Sequence, residues 1–480
     1  MTSSAIDYSD VQGTILRGYR VDLARHFILG ITNPAAAGAL IGALADGAGG
    51  LPRITTAAHW TVKPECFVNL AFTGAGLAAL GLTPAQLGTF DAAFQRGATD
   101  PVSASKVGDV GESAPAHWIG GLSDAARVHL VLSVWVDDDP AVLEAVTARL
   151  RSAFSGCAAE LSAHDAHALP ANRVHFGYHD SIAQPTVIGA PPRKRSIPDD
   201  QDPVATGEFL LGYTNESGGH YKVQPVELST NSSYGAFRIL EQDVPGFESF
   251  LATYAAQAKM DPEMLAAKVC GRWRNGNPLE LAPDAQGPEL PPSQLNDFTY
   301  VSTDATKDDT LGRRCPIGSH IRRNNPRNEA VDGAGSALHR IVRRAMPYGP
   351  AYDPAHPVST PRGLIGYFIN ASIRNQFEFI SGQWNLRSTF VKSATRPGDP
   401  DAKDGNAVFN ISGQDVFLGV NDPASSSFTL AAPGPNPKGS NNRNLKGFPR
   451  LITTRGGAYC FFPSIRGLRY LAALPGRSAG

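Results

Sequence analysis

Strand-like runs followed at once by helix-like runs, in both halves of a 480-residue chain, predict an α/β or α+β layer rather than an all-β sandwich. The length exceeds one ordinary domain and suggests two. Forty-nine glycines and 37 prolines imply many loops instead of long uninterrupted helices.

In the N-terminal half, CFVNLAFT (66–73) is apolar and β-prone, and GAGLAALGL with TPAQLGTFDAAFQRGA reads as helical. Thr83 before Pro84 resembles a helix start, because Thr caps and Pro suits the first helical position. ARVHLVLSVWV (126–136) is a second strand, and 139–154 carries apolar residues at helical spacing. In the C-terminal half, 362–372 reads as a strand and 372–384 as a helix with Ile373, Phe377, Ile380 and Trp384 on one face. A strand at 456–465 and a helix at 466–474 close the chain. Between the halves lie a basic–acidic loop (PPRKRSIPDDQD), a helix-like stretch and a Pro-rich connector. Residues 421–448 read as an extended surface loop.

Hydrophobic residues at 42% and charged residues at 18% suit a globular protein with a sizeable core. A formal net charge of −1 gives no global reason to expect nucleic acid or an anionic membrane as partner. Five scattered cysteines without a CxxC pair support neither a disulfide framework nor a cysteine zinc site. MTSSAIDYSDVQG lacks a basic segment followed by an apolar core, and no apolar run approaches a membrane span, so the expected compartment is the cytoplasm.

Two regions concentrate chemistry. FGYHDSIAQP (176–185) sets His179 and Asp180 on irregular backbone, where Asp180 is either a turn cap or a mounted acid. From 313 to 344 there are eight arginines (313, 314, 322, 323, 327, 340, 343, 344) against Glu329 and Asp332. So local an excess of guanidinium predicts a bound anion, the alternatives being a solvated basic face or pairing with distant acids. His320 sits inside this cluster, either as an ordinary hydrogen-bonded histidine or as the single protein ligand of a macrocycle-held metal, with arginines at hand for propionates. No HExxH or CxxCH occurs, which argues against a protein-only zinc site and covalent haem, and the sequence-adjacent His179, Asp180 and Ser181 could hardly reach triad geometry, which argues against a serine hydrolase.

The ordered motifs DVQGTILRGY (10–19), LAFTGAGLAALGL (70–82), FGYHDSIAQP, GEFLLGYTNE (207–216), CPIGSHIRRNNPR (315–327), HRIVRRAMPYG (339–349), NASIRNQFEFISGQW (370–384) and TTRGGAYCFFPSIRGLRYLA (453–472) resemble the dye-decolourising peroxidases over nearly the whole chain. The length resembles their larger, extended subgroup. The resemblance implies an α+β protein of two ferredoxin-like domains, of the dimeric α/β-barrel superfamily type. It implies an N-terminal domain at 1–222 carrying the distal aspartate, a connector at 223–293 and a haem-binding domain at 294–480. The implied activity is haem b-dependent oxidation of dyes, phenols or other small aromatic donors by hydrogen peroxide, through a ferryl intermediate.

Carried over residue by residue, His320 matches the proximal haem ligand, Asp180 the aspartate of the family's GxxDG motif, and Arg343 the distal arginine, with Arg344 its immediate neighbour. Arg322, Arg323 and Arg327 become candidates for holding propionates, and Asp415 for receiving the second N–H of the proximal histidine. Tyr348, Trp384 and Tyr459 are candidate surface electron relays. In those roles a carboxylate can shuttle a proton, while a guanidinium, which cannot act as a base, stabilises developing negative charge.

Two positions depart from the family pattern. Ser181 replaces the second glycine of GxxDG, and Gly366 stands where a bulkier distal residue is expected, which would open the distal pocket. The rival functional readings are a non-enzymatic haem carrier or sensor on the same scaffold, and a haem-free anion-binding protein.

Overall fold

The computed structural model describes residues 5–191, 201–329, 331, 335–355, 359–391, 412–432 and 442–475. Its strands are β1 (Leu23–Ile31), β2 (Cys66–Phe72), β3 (Leu130–Val136), β4 (Ala158–His167), β5 (Ser233–Gln242), β6 (Val342–Tyr348), β7 (Gly363–Asn370), β8 (Ser427–Leu430), β9 (Arg443–Lys446) and β10 (Ile452–Phe462). Eight of them form one antiparallel sheet in the order β4-β1-β3-β2-β10-β5-β7-β6. The two halves meet at a single register pair, Phe461 with Phe72. Numbered within its own half, each set of four runs 4-1-3-2, the ferredoxin-like order, so the chain is α+β with two such units. Among the described residues no ladder closes the edge strands β4 and β6 into a barrel.

The helices are α1 (Gly13–Leu16), α2 (Pro34–Asp46), α3 (Gly74–Ala79), α4 (Pro84–Leu87), α5 (Ala92–Arg96), α6 (Pro101–Val107), α7 (Pro140–Phe154), α8 (Val244–Ala258), α9 (Pro262–Cys270), α10 (His320–Asn324) and α11 (Ile465–Ala473). One local rule starts five of them: Asn33, Thr83, Asp100, Asp139 and Asp261 each cap through the side chain, with Pro at the first helical position. At Thr83 the expected start is a full capping box with Gln86. The helical run read from 83 onward breaks in two, because α4 stops at Leu87 and Asp91 caps a fresh start.

The inner face of the C-terminal strands carries Phe237 and Tyr367, which pack on His26 of β1. A buried chain from His26 Nδ1 to Ser133 Oγ (2.8 Å) and on to Tyr367 Oη (2.9 Å) joins the halves. β3 is buried along its whole length, consistent with its β-branched and aromatic composition. The opposite face of β10, β5, β7 and β6 presents Tyr459, Arg238, Phe368 and Arg343, and there the loops of both halves assemble.

Several expectations change. The segment 223–293 is not a connector: it holds β5, which lies between β10 and β7, together with α8 and α9. The predicted helix at 372–384 is two wide π-type segments, Ile373–Phe377 and Ile380–Asn385, though Ile373, Phe377, Ile380 and Trp384 are all buried as their spacing suggested. The predicted surface loop at 421–448 contains the β8–β9 hairpin, with 433–441 outside the described residues. Most of the basic–acidic loop, 192–200, also lies outside them. Among the described residues no helix is long and apolar enough to cross a membrane.

Candidate active site

The segment before α10 is pinned by backbone packing. Ser319 Oγ donates to the Lys268 carbonyl at 2.5 Å, and Cys315 is fully buried with its N–H on Asp309. That anchoring sets His320 at the first position of a one-turn helix. Its Nδ1 lies 2.9 Å from Asp415 Oδ2. The carboxylate's other oxygen accepts the N–H groups of Phe417 (2.8 Å) and Leu418 (2.9 Å). Burial pushes the Asp415 carboxyl up, but the His320 charge and hydrogen bond, the Leu418 N–H and Arg323 outweigh it, leaving the pKa below the ordinary value. An ionised carboxylate at Nδ1 fixes a proton there and turns Nε2 away as a lone-pair donor. Phe417 supports the ring edge-on, at 5.5 Å between centroids.

Asp180 lies in a folded-back loop. The Asp180 N–H donates to the Asn172 carbonyl at 2.8 Å, and the His179 N–H to that of Arg274 at 3.0 Å. Ser181, standing where the family motif has glycine, takes φ +61°, and its N–H donates to Asp180 Oδ1 at 2.6 Å. The serine therefore adopts the left-handed turn a glycine would give. Burial pushes the Asp180 carboxyl up, and the Ser181 N–H, Arg343 and His179 offset this only in part. His179 Nδ1 is buried without a hydrogen-bond partner among the described residues.

Arg343 reaches this loop from the edge strand. Its Nη2 donates to the Ala183 carbonyl, its N–H to Gln184 Oε1 (3.1 Å), and its own carbonyl accepts from Gln184 Nε2 (3.1 Å). Arg344 points the other way, Nε donating to the carbonyls of Thr14 (2.8 Å) and Arg17 (3.1 Å). Of the adjacent pair, Arg343 is the one beside Asp180.

The arginine cluster divides. Arg322 is fully buried, and its five N–H groups go to Glu329, to Asp309 and to the carbonyls of Cys315 and Asp309. Arg323 is equally buried and spends its five on Ser412 Oγ and the carbonyls of Gly318, Trp384, Arg387 and Gly413. Neither has a donor left for a propionate, so those two assignments fail: both are structural clamps. Arg327 differs. Its guanidinium lies 3.7 Å from the Phe298 ring centroid, and Nη1 donates to the carbonyls of Asn296 and Phe298. Asn296 in turn donates to the Ile182 carbonyl, so Arg327 belongs to the Asp180 loop.

A concavity, part of it open to solvent, has Asn324, Leu418, Phe368, Phe377 and Ile380 among its lining. Asn324 is one turn from His320, Leu418 binds Asp415, and Phe368 is the register partner of Arg343. Arg238, also on this wall, is paired with the buried Asp109 through Nη1 (2.7 Å) and Nη2 (2.5 Å). Sequence reading missed Arg238 and Asp109, which lie 129 positions apart. Gly366 does not open this cavity: a Cβ there would come within 2.0 Å of the Arg344 carbonyl, at φ +152°. The glycine lets β6 approach β7, and Phe368 supplies the aromatic surface. Nor are two of the three relay candidates at the surface. Trp384 is fully buried, Tyr459 is 2% exposed and Tyr348 is partly buried.

No family model matches the chain. Relatives do so over nearly its full length. Peroxidase 2 of Mycetinis scorodonius is 29% identical, covering 97% of this chain and 88% of the relative. A dye-decolorizing peroxidase of Exidia glandulosa is 28% identical over 97% and 87%, and the multifunctional dye peroxidase DyP2 of Amycolatopsis sp. is 29% identical over 84% and 82%. Among solved structures, a dye-decolorizing peroxidase in complex with 2,6-dimethoxyphenol superposes with a TM-score of 0.78 at 26% identity, covering 98% of this chain and all of that one. The DyP-type peroxidase of Auricularia auricula-judae shares the fold at 24% identity, also with a TM-score of 0.78 and covering 98% and 100%. Fold and relatives together define the class, a peroxidase. Within it, the chain is similar over nearly its full length to dye-decolorizing peroxidases.

Proposed function

We propose that this chain binds haem b through His320 and uses hydrogen peroxide to oxidise dyes, phenols and other small aromatic donors. The observation that carries the reading is the His320–Asp415 pair at 2.9 Å, its carboxylate buried, which prepares Nε2 as a metal ligand. The donor set fits haem: one imidazole with a carboxylate on its Nδ1, an adjoining concavity lined by both apolar and polar side chains, and Arg327 as the candidate for a propionate. Bound there, haem would supply an open iron coordination position at which the O–O bond of peroxide is cleaved.

The chain's own residues divide the remaining work. Asp415 holds the proton on His320 Nδ1 and makes the imidazole a stronger donor. Asp180, raised by burial, takes a proton from the inner peroxide oxygen and returns it to the outer one. Arg343, always charged, stabilises the negative charge that develops beside it. A carrier would have no use for an acid and a guanidinium converging on one loop. We further propose a domain division near residue 222, with Asp180 from the first unit and His320 from the second, β5 beginning the second unit's sheet.

Haem titration tests the reading. Wild-type protein should bind haem in a one-to-one ratio with a Soret band of histidine-ligated iron, and His320→Ala should lose that spectrum. Unchanged ligation in His320→Ala would refute the assignment.

A further inference from the structure

The loop that presents His320 is tied to buried carboxyl groups that the proposed chemistry does not use. Asp309 holds both of its arms. Oδ1 accepts the N–H groups of Arg313 (2.7 Å) and Arg314 (2.9 Å), and Oδ2 accepts that of Cys315 (2.9 Å). Beyond the turn, Arg322 of α10 donates through Nη1 to Oδ2 at 3.2 Å and through Nη2 to the Asp309 carbonyl at 2.9 Å. His320 lies between the two attachments, so a shift of Asp309 reaches it along both arms.

Glu280 stands against Asp309. It belongs to the turn at 278–281 that follows α9, its side chain is 3% exposed, and Arg314 Nε reaches Oε2 at 3.0 Å. Oε1 is buried and meets no donor among the described residues, although the carboxyl is in hydrogen-bonding contact with Asp309. Two carboxyl groups bond each other only through a proton between them. Four donors already mark the Asp309 carboxylate as the charged partner, so the proton belongs to Glu280, whose Oε1 has none.

Burial and the adjoining Asp309 push the Glu280 carboxyl up, and Arg322 and Arg314 offset this only in part. Lys268 of α9, Cys315 and Tyr300 also feel its charge, while Glu329 is engaged with Arg322 at 2.5 Å. The neutral form is therefore retained above the ordinary carboxylate range and is lost as pH rises through the raised value.

We propose that Glu280 and Asp309, sharing one proton, are positioning residues for His320. The proton joins the two carboxyls. Its loss to solvent sets a second negative charge against Asp309 in a site shielded from water, where repulsion is weakly screened. Asp309 then carries the displacement to residues 313–315 and to Arg322, and so to His320. That His320 ligates haem rests on the peroxidase reading, whereas its dependence on the carboxyl pair does not.

The test follows two signals of the full chain. One is the His320 Nδ1–H resonance in the haem-free protein, by heteronuclear NMR, and the other is the iron–histidine stretching band of the ferrous haem-loaded protein, by resonance Raman. Both should hold constant from mildly acidic to neutral pH and shift as pH rises through the value of Glu280. In Glu280→Gln, whose amide donates to Asp309 at every pH, both should keep their neutral-pH positions throughout. Asp309→Asn sets a donor where Cys315 and Arg322 need an acceptor, and should displace both signals at every pH. Infrared spectra with isotope-labelled glutamate should show a protonated-carboxyl band at neutral pH that shrinks in Glu280→Gln. An undiminished band, a surviving alkaline shift in Glu280→Gln, or wild-type signals in folded Asp309→Asn would overturn the proposal. Should either substitution fail to fold, the wild-type pH series decides alone, flat signals through the alkaline range counting against the pair. Failure of the wild type to bind haem, with the resonance behaving as described, would sink the peroxidase reading and leave the positioning pair standing.

Discussion

Asp415, wholly shielded from water, accepts the Nδ1 proton of His320 at 2.9 Å while its second oxygen accepts two backbone N–H groups. Three hydrogen bonds thus converge on one carboxylate, 95 positions from its partner. Nearly every expectation about the site turns on how that pair and the Asp180–Arg343 pair behave when perturbed.

Removing the Asp415 carboxylate strands buried donors. Asp415→Ala should cost roughly 2–4 kcal/mol of stability, read by denaturant unfolding. Because the folded pKa is lowered, the wild-type contribution is present above the ordinary carboxylate value and fades as pH falls through the lowered one. Asp415→Asn should keep the fold, lose that acid dependence and raise the reduction potential of bound haem, measured by spectroelectrochemistry.

Asp180 should set the acid limb of the reaction. Its raised pKa means that the base form disappears at a higher pH than for an exposed aspartate as the solution is acidified. The rate with peroxide should therefore fall as pH drops through that raised value. In Asp180→Asn the limb should vanish and the rate should fall by about 10²–10⁴-fold, followed by stopped-flow absorbance across the acidic range.

The arginines should separate by assay. Arg322→Leu leaves Glu329 and Asp309 without their buried cation, costing about 3–5 kcal/mol in thermal or denaturant unfolding. Arg327→Gln should instead weaken haem affinity with a smaller effect on the fold. Equal loss of stability in both variants would show that Arg327 is one more clamp.

Two glycine-related positions give opposite signs. Ser181→Gly should stabilise by up to about 1 kcal/mol, since a serine at φ +61° carries left-handed strain that glycine does not. Gly366→Ala should destabilise by about 2–3 kcal/mol, because the added carbon meets the Arg344 carbonyl. Equilibrium unfolding of the two variants checks both.

What the sequence revealed and concealed follows physical lines. Strands whose residues are mostly buried on both faces, such as β3 and β7, announced themselves by unbroken apolar runs. The edge strands did not: β4 reads AAELSAHDAH and β6 reads VRRAMPY, polar in the way unpaired edges require. Asp180, His320 and Arg343 stood out through ordered motifs. The fate of Arg322 and Arg323 did not, because a charged run looks the same whether it faces an anion or is buried on carbonyls. Only tertiary packing decides that, as it does for the Arg238–Asp109 pair and for the close approach that demands Gly366.

Asp180 and Arg343 are proposed to act together on peroxide beside a haem held by His320. The decisive experiment is the peroxide-dependent oxidation of 2,6-dimethoxyphenol by haem-loaded wild type, Asp180→Asn and Arg343→Leu. Both variants should retain the wild-type Soret band and lose about 10²-fold or more in turnover. Full haem occupancy with undiminished turnover in either one would contradict the joint role.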